Sequence, residues 1–237
     1  MGTIDISIQD QIVSVTINNP EKMNCIDMPM LKALDHHIEK IRRDKSVRAI
    51  KLSGIGNKAF STGADLNEFG KLDETGVVEW IKYGNRLFNT LESLPIPSVA
   101  IIHGYALGGG FELALACDLR IADENAIFSF PELKHGWIPG WGGLSRLRKL
   151  IGESRAKQII MLGENIDSKK ALEMGIVNKI YDEDSFEEEV SKVINHFKKI
   201  DPFLMEMTKS ALMTNRNAPE NDVLFDVLAT QYSKSKS

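Results

Sequence analysis

The stretch GYALGGGFELALACD (104–118) decides how this chain is read. It leaves the β-branched run SVAIIHG (98–104) and turns through Gly108, Gly109 and Gly110. It then enters a segment in which nearly every position except Glu112 is small or apolar. A helix of that composition is enclosed on most sides. An unpaired carboxylate there costs several kcal/mol or takes up a proton. A first-turn acid also complements the helix dipole, worth about 0.3–1 kcal/mol. That explains why Glu112 is tolerated but not why it is present.

A second stretch has the same design. FSTGADLNEF (60–69) ends a strand, turns at Gly63 and enters a short helix. Each stretch leaves backbone N–H groups at a strand-to-helix junction, where the helix dipole favours negative charge. Singly, each reads as an ordinary glycine turn. Facing one another, they would form a hole for a carbonyl oxygen that gains charge. Glu132 supplies a second acid, coming after AIFSF (126–130) and Pro131 and leading into the glycine- and tryptophan-rich LKHGWIPGWGG. Two acids beside a backbone anion site are the parts needed to move protons next to a thioester.

Working outward, short β-branched runs at IVSVTI (12–17), RAIKLS (48–53), SVAIIHG, DLRIA (118–122) and AIFSF predict strands. MLKALDHHIEKIRRD (30–44) and VVEWIKYGNRLFNTLESL (77–94) place their apolar residues at helical spacing. The alternation predicts an α/β architecture with parallel or mixed sheets. From about residue 142 the pattern turns mostly helical, at 144–151, 154–162, 168–174, 185–199 and 201–215. NKIYD (178–182) is the one strand expected there, Ser185 with Glu188 reads as a capping box, and the terminal QYSKSKS reads as frayed. The division is therefore an α/β core over 1–142 and a helical region over 143–237, within one catalytic unit.

Composition excludes several classes. The net charge of −4 gives no general attraction for nucleic acid or an anionic membrane. GLSRLRKLIGESRAK (143–157) carries five cations, and its helical spacing reads as a solvated helix face. The N-terminus has neither a signal-peptide core nor transit-peptide character, and no apolar run approaches a membrane span. Cys25 and Cys117 lack metal-ligand spacing, so a reduced, cytoplasmic protein is expected. His36 and His37 diverge on a helix, and His103 and His135 lack partners at ligand spacing, so no metal site is expected. GIGNKA (54–59) fits a dinucleotide fingerprint, but that motif needs a helix at its glycines, and AFSTGAD (59–65) reads as strand or loop.

NNPEKMNCID (18–27), AFSTGADLNEF (59–69), HGYALGGGFELALACDLRIA (103–122), FSFPELKHGWIPGWGGLSRLRKLIG (128–152) and SKKALEMGIVNKIY (168–181) together resemble the enoyl-CoA hydratase/isomerase, or crotonase, superfamily. The resemblance runs from residue 4 to about 215. It implies a spiral of ββα units with a helical C-terminal region, assembled as trimers or dimers of trimers. By the same resemblance, the N–H groups of Ala64 and Gly109 would hold a thioester oxygen. Lys22, Met23, Ala64, Asp65, Leu66, Gly108, Gly140 and Trp141 would contact substrate or its coenzyme A.

Glu112 and Glu132 match the two glutamates of the hydratases, which implies reversible hydration of a 2-trans-enoyl-CoA in fatty acid metabolism. No cofactor beyond that coenzyme A is implied. Isomerisation, decarboxylation and thioester hydrolysis are the alternatives within the family, and some of its members also bind RNA. An acyl carrier protein is a second thioester carrier. Trp141 and Phe130 are bulkier than relatives often have, so each is expected either to narrow the acyl pocket or to pack the core. Relatives also usually continue past APENDVLFDVLATQYSKSKS with a further helix that helps close the site.

Overall fold

The computed structural model describes residues 2–213 and 220–236. The chain opens with a hairpin, β1 (Thr3–Gln9) and β2 (Ile12–Asn18), whose turn residues Asp10 and Gln11 both take positive φ. That geometry matches the twist of two antiparallel strands joined by a two-residue loop. Helix α1 (Met28–Arg43) comes next, its first turn capped by Asp27, which accepts from the Met30 N–H at 2.8 Å.

Three ββα turns then repeat. In the first, β3 (Ala49–Gly54) and β4 (Ala59–Ser61) lead into α2 (Leu66–Phe69) and α3 (Glu74–Glu92). In the second, β5 (Ser98–Ile102) and β6 (Tyr105–Leu107) lead into α4 (Gly109–Ala116). In the third, β7 (Leu119–Asp123) and β8 (Ile127–Ser129) lead into α5 (Gly143–Ile151). The first strand of each unit joins a large sheet and the second a small one. Helices α6 (Glu153–Leu162), α7 (Ser168–Glu173), α8 (Phe186–Phe197), α9 (Pro202–Met213) and α10 (Glu220–Lys236) complete the chain.

Strands β9 (Ile166–Asp167) and β10 (Lys179–Tyr181) return from the helical half into the two sheets. The six-stranded sheet runs β1-β2-β3-β5-β7-β10 and the four-stranded one β4-β6-β8-β9. Among the described residues, the β1–β2 and β8–β9 pairs are antiparallel and the other pairs parallel. The α/β spiral of ββα units is therefore present, with its helical C-terminal region.

Every residue of β5 is buried, as a central parallel strand covered on both faces requires. One face of the large sheet contributes Val13, Val15, Ile50, Leu52 and Ala100 to the main core. The other presents Ile12, Ala49, Val99 and Ile101 to Phe186, Val190 and Ile194 of α8. Lys209 fastens α9 to the base of the sheet, donating to Ile96 O at 3.1 Å and Asp118 Oδ2 at 2.7 Å.

Three expectations need correction. Ser185 precedes α8 but forms no capping box. Its backbone is already helical (φ −95°, ψ −9°) and its hydroxyl turns back to Asp182 O. A capping hydroxyl needs an extended backbone at that position. Residues 231–236 are not frayed: α10 runs to Lys236, held where Tyr232 packs on Phe203 and donates to Asp201 Oδ2 at 3.3 Å. NKIYD is not alone in the second half, because Ile166–Asp167 pairs with β8. Ser237 and the last two positions expected for α9, 214 and 215, lie outside the described residues. The segment 54–59 joins two strands, and no helix starts at its glycines.

Candidate active site

The two glycine turns face each other. A Cβ on Gly63 would fall 2.6 Å from Gly109 N, so the chains meet at backbone contact distance there. Gly108, at φ +50°, takes a backbone that side chains rarely adopt, and it launches α4 with Gly109 as first residue. The Gly109 N–H therefore stands ahead of the intrahelical ladder. On the other turn the Gly63 N–H donates to Ser61 Oγ and the Asp65 N–H to Ile26 O. Among the described residues the Ala64 N–H between them meets no acceptor. Ala64 and Gly109 both line one cavity of about 760 Å³.

The loop before α1 braces the first turn. Asn24 is buried, at φ +56°, and donates to Ile55 O at 3.0 Å and Ala59 O at 2.7 Å. Ser61 Oγ donates to Asn24 O at 2.7 Å. Met23 holds the same segment with its carbonyl, which accepts from Thr62 N and Thr62 Oγ1. Its side chain does not line the cavity, unlike those of Lys22, Asp65, Leu66 and Trp141. Asp65 caps α2 and pairs with Lys22 Nζ at 2.6 Å, closing the polar end. Gly108 and Gly140 also border the cavity.

Glu112 lies in the first turn of α4 and is 2% exposed. Its Oε1 accepts from Trp141 N at 2.8 Å and Gly143 N at 2.7 Å. Burial pushes its pKa from the ordinary 4.5 up to about 7, although those two N–H groups pull the other way. Glu132 begins a short 3-10 turn after β8. Its Oε1 lies against Gly108, and its buried Oε2 meets no hydrogen-bond partner among the described residues. Burial, then repulsion from Glu112, pushes its pKa up to about 7 as well. Two carboxyls in one cavity whose environments both resist ionisation suit shared proton transfer near neutral pH.

The apolar end of the cavity is aromatic. The Trp141 indole is wedged between α3 and α4, stacked on Trp80 at 6.3 Å and edge-on to Phe88 at 5.3 Å. It lies so close to Gly84 and Gly109 that a Cβ at either would meet it at 2.3 and 2.5 Å. Phe130 stacks on Phe111 at 4.7 Å in the core, away from the cavity lining, which settles its two expectations in favour of packing.

Sequence reading missed Asn24, Ser61 and Arg146. The cation-rich segment is interrupted at Gly152 between α5 and α6, and Arg146 is buried, not part of a solvated face. The signal was its position beside Leu147 on the stripe that buries Gly143 and Ile151. Among the described residues, no three His, Cys, Asp or Glu side chains cluster closely enough to hold a metal, and no helix is long and apolar enough to cross a membrane.

With this geometry in place, comparison with known proteins is specific. The family model for enoyl-CoA hydratase/isomerase matches residues 7–233. A short-chain-enoyl-CoA hydratase of Clostridium acetobutylicum is 36% identical over 90% of this chain and 81% of its own. A crotonyl-CoA hydratase of Syntrophomonas wolfei is 32% identical over 86% of this chain and 78% of its own. The crystal structure of an enoyl-CoA hydratase from Bacillus anthracis superposes with a TM-score of 0.91 at 31% identity, covering 96% of this chain and 89% of the other.

Proposed function

This chain belongs to the enoyl-CoA hydratase/isomerase family, and we propose that it adds water reversibly to a 2-trans-enoyl-CoA, giving the 3-hydroxyacyl-CoA. The observation that carries this reading is the pair Glu112 and Glu132, both raised to about 7 and both bordering the cavity of Ala64 and Gly109. The similar hydratases support the same chemistry.

The thioester oxygen sits between the N–H groups of Ala64 and Gly109. These favour the enolate-like charge of the addition, each donor contributing roughly 3 kcal/mol to the transition state. Glu112, ionised, takes a proton from the water that attacks C3. Glu132, protonated, delivers a proton to C2. Lys22, Asp65 and Leu66 border the polar end, which receives the coenzyme A, and Trp141 borders the acyl end. The reaction calls for no cofactor beyond that coenzyme A. The same reading takes the protein as a cytoplasmic homotrimer or dimer of trimers, for which Met161 and Leu162 on α6 present exposed apolar surface.

The test mixes purified protein with crotonyl-CoA and follows the ultraviolet absorbance of the conjugated thioester, with mass spectrometry of the product. Glu112→Gln and Glu132→Gln are measured alongside. Loss of absorbance with the gain of one water, abolished in both variants, is the expected result. A wild-type protein that binds the thioester but leaves it unchanged overturns the hydratase reading. Isomerisation is the second reading, because a single acid at Glu132 suffices for moving a double bond. Glu112→Gln with near wild-type hydration overturns the two-acid mechanism.

A further inference from the structure

Glu112 is held by a turn, and the turn is held by a buried cation outside the cavity lining. Arg146 on α5 is 8% exposed. Its Nε donates to Glu92 Oε2 at 2.9 Å, one terminal nitrogen to Trp141 O at 2.8 Å, and the other to Asn89 Oδ1 at 2.6 Å. Glu92 and Asn89 both lie on α3. The guanidinium therefore ties α3 to the start of the Trp141–Gly143 turn, and that turn's N–H groups at 141 and 143 are the two that grip Glu112 Oε1. Gly142, between them, stands at φ +104°, and a Cβ there would fall 2.2 Å from an Arg146 nitrogen. The backbone has been kept bare where the guanidinium approaches it.

Such a planar fork fits three acceptors at fixed angles, which an ammonium does not. From this we infer that Arg146 is a positioning residue for Glu112 in the proposed hydration, acting through the Trp141–Gly143 turn. It touches neither substrate nor reacting atoms. The inference rests on the hydratase reading for its kinetic consequence, but not for its geometry.

The charge arrangement gives the role a signature. The charges around Glu112 come from three elements: Arg146 on α5 acts on it directly, Glu132 from the 3-10 turn after β8 repels it, and Glu92 on α3 pairs with Arg146. On α4 the segment Gly109–Ala116 contains no other ionisable residue. Arg146 is the cation among them, and it draws the Glu112 carboxyl back toward its ordinary range against burial. Arg146→Gln removes that pull, so the acid limb of the kcat/KM profile moves to higher pH. Glu92→Gln removes the anion that offsets Arg146, so the limb moves to lower pH. Arg146→Lys keeps the charge but loses the three-way grip, so activity falls with the limb in place.

The experiment measures kcat/KM for crotonyl-CoA hydration from pH 5 to pH 9 in the wild type and these three variants. Beside it runs an infrared titration of the Glu112 carboxyl band, assigned by its disappearance in Glu112→Gln. Arg146→Gln is expected to lose roughly three- to tenfold more activity at pH 6 than at pH 9, the equivalent of half to one pH unit. Opposite shifts in Arg146→Gln and Glu92→Gln support the role. Profiles of Arg146→Gln and Glu92→Gln that coincide with the wild type in pH, with activity lowered by one factor throughout, would show a merely structural prop and overturn it. If Arg146→Gln does not fold, the direction of the Glu92→Gln shift decides alone. If the wild type does not hydrate crotonyl-CoA, the hydratase reading fails, and the infrared titration still decides whether Arg146 governs Glu112.

Discussion

Replacing Glu112 with Gln should abolish hydration and at the same time stabilise the protein, by an amount set by pH. The carboxyl is 2% exposed and its pKa rises from 4.5 to about 7 on folding, chiefly through burial. An acid whose pKa is raised in the folded state binds its proton more tightly there than in the unfolded chain. Its contribution is intact below pH 4.5 and is lost as pH rises through 7. A shift of two and a half units corresponds to about 3 kcal/mol. Near-complete burial leaves little solvent screening to reduce it. The neutral amide still accepts the N–H groups of Trp141 and Gly143 through its oxygen and never ionises. The stability gap between Glu112→Gln and wild type should therefore widen by about 2.5 kcal/mol between pH 5 and pH 8. Urea denaturation at one fixed protein concentration measures it, the fixed concentration removing any contribution from assembly. By melting temperature, the gap grows by roughly 5–10 °C for a chain of this length. A variant no more stable than wild type at pH 8, or a gap that does not change with pH, would refute the claim that burial strains this carboxylate.

Two further outcomes concern the indole wedge. Gly84→Ala at an open helical position would stabilise by about 1 kcal/mol. Here the new Cβ lands 2.3 Å from Trp141 Nε1, so overpacking costs about 1–3 kcal/mol and the variant should melt lower. Adding Trp141→Phe should restore part of the loss, and a Gly84→Ala protein that melts higher than wild type would show the indole free to move. Trp141→Ala removes the aromatic wall of the cavity, the acyl end in the proposed function, at a cost of about 3–5 kcal/mol. It should also raise the ratio of decenoyl-CoA to crotonyl-CoA turnover at least tenfold, read as kcat/KM over a chain-length series. An unchanged ratio would place the acyl limit elsewhere.

The parts legible in the sequence are those whose signal is local. The buried runs of β2, β3 and β5 and the helical stripes of α1 and α3 announce themselves because burial on a sheet or helix face repeats with a fixed period. The small sheet shows only in part, β8 as AIFSF and β4 as the strand end before Gly63. Its strands are two or three residues long, too short to show any period, and β6 and β9 are defined by the partners they pair with. The end of α10 is hidden differently. QYSKSKS is polar throughout except for Tyr232, and its helix depends on that ring reaching Phe203 of α9. Local composition carries no trace of a contact made with another helix.

The site divides along the same line. Glu112 and Glu132 stand out because a carboxylate in an apolar setting is a local anomaly. What builds the cavity around them is non-local: Ser61 and Asn24 setting one turn, and Arg146 setting the turn that grips Glu112. Arg146 was hidden among five cations, and only its register beside Leu147 separates a buried guanidinium from the solvated ones around it. A cation on the apolar stripe of an amphipathic helix must find several acceptors or remain unburied. Arg146 finds Glu92, Asn89 and Trp141 O. The same physical rule that marks Glu112 as an anomaly thus marks its support, provided position on the helix is weighed together with composition.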